Sequence, residues 1–228
     1  MKIKQLHIYT KNLQEQKRFY TEVLELPVRQ IGTNMIQVLL GFSEIFIEEK
    51  STAKPYHIAF HIMPDKIEQA QHWLSDKVEC LTFEGNPIIE FPAWNARSVY
   101  FYDENKNIVE FISRKNLFPK TEKNFDAEQI LGIAEVGLVT EDVNEKFTYL
   151  QQEIELGRYD GDQTRFCAIG DDLGLLITIN RQEKDWFPSN DKAYVADFQI
   201  AIQHNGKDFM LRFENNKLLK INVITTSW

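Results

Sequence analysis

The sequence predicts an α+β protein assembled from repeated β-α-β-β-β units. Short runs alternate apolar and polar residues with a period of two, as half-buried strands do. Between them stand segments with an apolar stripe at helical spacing. The opening strand and helix also return 130 residues later. Laying Ile3 to Leu26 against Ile133 to Leu156 puts Thr10 on Thr140, Leu13 on Val143, Glu15 on Glu145, Phe19 on Tyr149 and Leu26 on Leu156. A hydrophobic fraction of 43 % over 228 residues suffices for one large packed domain or two small ones.

The first unit opens with the strand Leu6-His7-Ile8-Tyr9. A helix over Leu13 to Leu24 follows, with Asn12 as its N-cap and Leu13, Phe19, Tyr20, Val23 and Leu24 as its apolar stripe. Strands are expected at Val28 to Gly32, Met35 to Gly41 and Glu44 to Glu49, with turns at Asn34 and Gly41. The second unit starts at Tyr56-His57-Ile58-Ala59-Phe60. Asp65 is expected to cap its helix, which runs through Trp73 and Leu74. A short apolar run at Ile88-Ile89, then Ser98 to Tyr102 and Ile108 to Ser113, complete it. Residues 117–128 are polar, contain Pro119 and read as a linker between a domain of residues 1–116 and one of residues 129–228. The third unit runs from Ile130 to about Asn180, with Asp142 capping its helix. The fourth begins near Ala193 to Ile200 and lacks a helix. Asn205-Gly206 there signals a hairpin between Phe209 to Phe213 and Leu218 to Val223.

A net charge of −8 argues against a nucleic-acid or anionic-membrane partner. The basic cluster of Arg114, Lys115, Lys120 and Lys123 is broken by Pro119 and Glu122 and reads as a solvated linker. Cys80 and Cys167 stand far apart with no CxxC, which fits a reducing compartment and excludes a cysteine-type structural zinc site. No apolar run approaches the ~20 residues of a membrane span, and the N-terminus leads straight into a strand pattern. The expected location is the cytoplasm, with a small-molecule substrate and a homodimer as the partners to look for.

The chemistry centres on Glu110. It sits in Asn107-Ile108-Val109-Glu110-Phe111-Ile112, apolar on both strand faces. An unpaired carboxylate is too costly to bury there. His7 and His57 occupy similar places in their own strands, and two imidazoles with one carboxylate suggest an open metal site. The alternative is two satisfied core histidines, with Glu110 paired to Arg114 or Lys115. His61 shares a face with His57 and is either a supporting group or an exposed residue near a loop. Tyr9 shares a face with His7, while His72 and His204 read as surface residues. Gly137 replaces His7 in the repeat, and Glu135 falls on Gln5. The C-terminal half is therefore expected to lack the metal constellation. Trp186-Phe187-Pro188 reads as a structural plug between the third and fourth units.

Three segments in this order resemble the vicinal oxygen chelate superfamily, which includes glyoxalase I, fosfomycin thiol transferases, extradiol dioxygenases and bleomycin-binding proteins. They are Leu6-His7-Ile8 with Arg18-Phe19-Tyr20, then Tyr56-His57-Ile58-Ala59-Phe60, then Tyr100-Phe101-Tyr102-Asp103 leading to Ile108-Val109-Glu110-Phe111. The match covers residues 3–115 and continues beyond only as a decayed copy. The resemblance implies paired units curled into a cup-shaped sheet around one divalent metal. It implies His7, His57 and Glu110 as ligands to Zn, Mn, Fe, Co or Ni, with positions left open for substrate. Glu44 or Glu48 could then approach the metal or act as a base, and the Tyr100 phenol could donate to a metal-bound oxygen. The expected function is a metal-dependent isomerase, lyase or thiol transferase acting on a small oxygenated molecule. A dioxygenase fits less well, since no histidine lies between His7 and His57. Fosfomycin transfer is disfavoured by Tyr9 where that group has a threonine. The other class is a binding protein without catalysis, which would be metal-free.

Overall fold

In the computed structural model, residues 1–221 are described, and they form two curled, mostly antiparallel sheets with helices packed on one face of each. The first unit is β1 (Lys2–Thr10), α1 (Leu13–Arg18), β2 (Val28–Ile31), β3 (Met35–Leu40) and β4 (Ser43–Glu49). The second is β5 (His57–Ile62), α2 (Ile67–Ser75), β6 (Cys80–Leu81), β7 (Ile88–Phe91), β8 (Ala96–Tyr102) and β9 (Ile108–Arg114). The third is β10 (Ile130–Thr140), α3 (Val143–Ile154), β11 (Arg158–Gly161), β12 (Phe166–Asp171) and β13 (Gly174–Asn180). The fourth is β14 (Phe198–His204), β15 (Lys207–Glu214) and β16 (Lys217–Ile221). The expected strand over residues 218–223 is seen as far as Ile221, and its last two residues lie outside the described ones.

The unit pattern holds, but the units pair across the chain. One sheet runs β16-β15-β14-β1-β4-β3-β2 and joins the first unit to the fourth. The other runs β11-β12-β13-β10-β5-β9-β8-β6 and joins the second to the third. In each, the opening strand of an N-terminal unit lies antiparallel to a strand of the C-terminal part, β1 on β14 and β5 on β10. Each sheet thus straddles the expected division at residues 117–128, and the main core holds residues of both halves. The sheets are stitched together by Ser43. Its hydroxyl donates to the Ile3 carbonyl at 2.7 Å and accepts from the Ile133 amide at 2.9 Å. Phe42 N–H adds a bond to the Leu131 carbonyl at 2.9 Å.

Period-two alternation sorts the faces as the sequence requires. Leu6, Ile8, Ile58 and Phe60 turn to the helices and the shared core, while His7 and His57 turn to the other face. Asn12 and Asp142 cap their helices, each accepting from an amide three residues on, Glu15 and Glu145. Asp65 does not cap α2. It holds a left-handed φ of 58° and its carboxylate pairs with Lys120 at 2.5 Å, so Lys66 occupies the N-cap without a side-chain bond. The first helix also departs from expectation: after Arg18 it widens into a π-turn over Phe19–Val23, closed by Leu24 N–H on the Phe19 carbonyl. The stripe is kept, with Leu13, Phe19, Tyr20 and Leu24 buried.

Candidate metal centre

The sheet of the second and third units carries His57 on β5, Glu110 on β9 and Glu135 on β10. One donor atom from each lies within 4.8 Å of the others, and all three residues are buried. Strand register explains the meeting. Ala59 pairs with Glu110 on one side and with Glu135 on the other, so both carboxylates flank the row beginning at His57. His57 Nε2 lies 3.5 Å from Glu110 Oε2. Tyr100 stands directly opposite Glu110 on β8, and its ring stacks beside His57 at 6.4 Å. These residues line a cavity of about 370 Å³.

The charges here are strained against burial. Desolvation pushes the Glu110 carboxyl well above its ordinary range, and the neighbouring Glu135 pushes it further. Glu135 is raised by burial as well, with Arg114 opposing. Arg114 Nη2 donates to Glu135 Oε1 at 2.9 Å and is itself only 3 % exposed. Burial lowers His57 to about 4, so its imidazole is neutral at neutral pH and available as a donor to metal. Burial likewise raises the Tyr100 phenol, which stays protonated.

The structure brings His57, Glu110 and Tyr100 together and leaves His7 and Glu48 elsewhere. His7 lies on β1 in the other sheet, where its Nε2 meets Glu48 Oε2 at 3.1 Å. Among the described residues the only three-donor group is His57, Glu110 and Glu135, so His7 does not join it. Glu48 faces Tyr9 across the β1–β4 ladder and also accepts from Asn34 Nδ2 at 3.2 Å. Glu44 accepts from the Gln5 and Gln37 amides. Glu110 pairs with neither Arg114 nor Lys115, because Arg114 is engaged by Glu135. His61 is buried, donates to the Leu173 carbonyl at 3.1 Å and packs on Phe118. From the segment Trp186-Phe187-Pro188, Trp186 and Phe187 line the cavity, with Trp186 5.0 Å from His57.

The repeat register sets Glu135 on Gln5 and so does not mark it as a candidate. A second signal does: it is a carboxylate inside Ile130-Leu131-Gly132-Ile133-Ala134-Glu135-Val136-Gly137-Leu138-Val139, the same anomaly that marks Glu110. Gly137 also has a structural reason. A Cβ there would come 2.7 Å from Trp186 Cη2 and 3.2 Å from His57 Cβ, so the glycine makes room for the indole.

This is the fold of the vicinal oxygen chelate superfamily. A structure of Bacillus subtilis subsp. subtilis str. 168 solved as a "putative dioxygenase" superposes with a TM-score of 0.57 at 16 % identity, covering 78 % of this chain and 63 % of that one. Glyoxalase I of Zea mays superposes with a TM-score of 0.51 at 12 % identity, covering 78 % of this chain and 66 % of that one. This chain thus spans slightly under two thirds of the length of both proteins. No family model matches the sequence, nor does any curated protein. No helix among the described residues is long and apolar enough to cross a membrane.

Proposed function

We propose that His57, Glu110 and Glu135 hold one divalent metal ion and that the protein is a metal-dependent enzyme acting on a small oxygenated molecule. The observation that carries this is the buried His/Glu/Glu group itself. Two carboxylates share a dry site with a single guanidinium, an arrangement that favours either a bound proton or a bound cation. Donors of one zinc-like ion sit roughly 3–4.4 Å apart, close to the separations present here. One imidazole and two carboxylates suit Zn, Mn, Fe, Co or Ni. When bound, the ion would supply Lewis acidity to a substrate oxygen.

The chain's own residues support such chemistry. Tyr100 keeps its proton and stands opposite Glu110, placed to donate to an oxygen held at that end of the cavity. Arg114 fixes one oxygen of Glu135 and leaves the other free to turn inward. Trp186 and Tyr100 flank His57 and restrict water around it. Two free thiols, Cys80 and Cys167, are in keeping with a cytoplasmic setting. Elemental analysis of purified wild type, Glu135→Ala and His7→Ala tests the ligand set. About one metal per chain is expected in wild type and His7→Ala, and a large loss in Glu135→Ala. A metal-free wild type whose ligand binding ignores chelators would instead identify a binding protein without catalysis.

A further inference from the structure

The cavity above the His57 end has a wall made almost wholly of rings. Trp94 lies 6.2 Å from Phe91, Phe91 6.0 Å from Phe187, and Phe187 6.0 Å from Tyr100, the last two contacts edge-to-face. Tyr100 then stacks beside His57, which touches Trp186. The ring contacts therefore run unbroken from Trp94 to His57 at the polar end. The belt is also fixed in place: Trp94 Nε1 donates to Asp160 Oδ2 at 2.5 Å, and Trp186 N–H donates to the Asp191 carbonyl at 2.9 Å. Ile112 and Ile177 also line the cavity. At about 370 Å³ the space is near the lower end for a ligand site, room for one compact molecule.

We infer that the cavity takes a single flat aromatic molecule, its rings against the Trp94-Phe91-Phe187 belt and its oxygen substituent toward His57, Glu110 and Glu135. Ring faces and edges attract another ring beyond simple area burial, by a factor of about 2–10 per well-placed pair. A belt offering both faces and edges selects for an aromatic over a puckered saturated body of equal size. The orientation rests on the metal reading above. The aromatic preference does not, since it rests on Trp94, Phe91 and Phe187, whose ring contacts are to one another, Tyr159, Phe83 and Tyr100 and not to His57.

The test uses metal-free full-length protein and two probes with one carbon skeleton, 2-naphthol and decahydro-2-naphthol. Calorimetry should give at least about tenfold tighter binding of 2-naphthol. Phe187→Leu and Phe91→Leu, which keep apolar bulk and remove a ring, should each weaken 2-naphthol by about 2–10-fold and change decahydro-2-naphthol by less than about twofold. Mn²⁺ titration of both variants should match wild type, showing that the cavity is intact. Equal binding of the two probes, binding of neither, or equal losses for both in the variants would overturn the inference. Aromatic selectivity without any metal affinity would sink the metal reading alone. Metal affinity without aromatic selectivity would sink this inference alone.

Discussion

Among the described residues the same histidine–glutamate arrangement occurs twice. On β1 and β4, His7 precedes by two the residue opposite Glu48. On β5 and β9, His57 precedes by two the residue opposite Glu110. Both histidines face away from the helices, and in both pairs Nε2 approaches a carboxylate oxygen, at 3.1 and 3.5 Å. The surroundings then differ. The Glu48 side chain is 33 % exposed and the Glu110 side chain 3 %. Glu48 keeps part of its surface open to solvent and accepts from Asn34 Nδ2 as well as meeting the buried His7. Glu110 has lost its water and gained a second carboxylate, Glu135, from the adjoining strand. The same local pattern thus yields a metal-centre candidate only where a second acidic residue arrives in a dry setting.

Each sheet is built from both halves of the chain, and cutting between them should have the largest effect. A protein ending at Phe118 loses β10 from beside β5 and β14 from beside β1. It should show no cooperative thermal transition. A soluble, cooperatively folded fragment would mean that the two halves fold independently. The next effect is on metal. Glu110→Ala should weaken Mn²⁺ or Zn²⁺ binding by about 100-fold or more, and Glu48→Ala by less than about twofold, by competition with a chelating dye. Similar losses in both would make the two pairs equivalent and end the distinction.

Acid should sharpen the contrast between buried and solvated groups. Burial holds His61 at about 3 in the folded protein, below the ordinary histidine value of 6.5. The unfolded chain therefore takes up a proton first as pH falls. The neutral form's contribution is intact above about pH 6.5 and is lost progressively toward pH 3. Relative to His61→Gln, the metal-free wild type should lose about 2–3 kcal/mol between pH 7 and 4.5, measured by urea unfolding. A pH-independent difference would show that His61 titrates normally. Smaller again is Gly137→Ala, which should cost about 1–3 kcal/mol by pushing a methyl against Trp186 and His57. An unchanged Tm would show that the indole moves aside freely.

The amino-acid sequence by itself determined most of the elements, their repeat, two of the three helix caps, and the choice of His57 and Glu110 as candidates. Those follow from local rules: the alternation of Ile58 and Phe60 against His57 and Ala59, the capping chemistry of Asn12 and Asp142, and the cost of burying Glu110 in an apolar strand. The tertiary structure alone decided that Glu135, and not His7, lies beside His57 and Glu110. Periodicity assigns a residue to a face of its own strand and carries no information about which strand lies alongside. Pairing of β5 with β10, and of β1 with β14, is settled by long-range packing of the shared core. That choice sets Glu135 beside Ala59 and sends His7 to the other sheet.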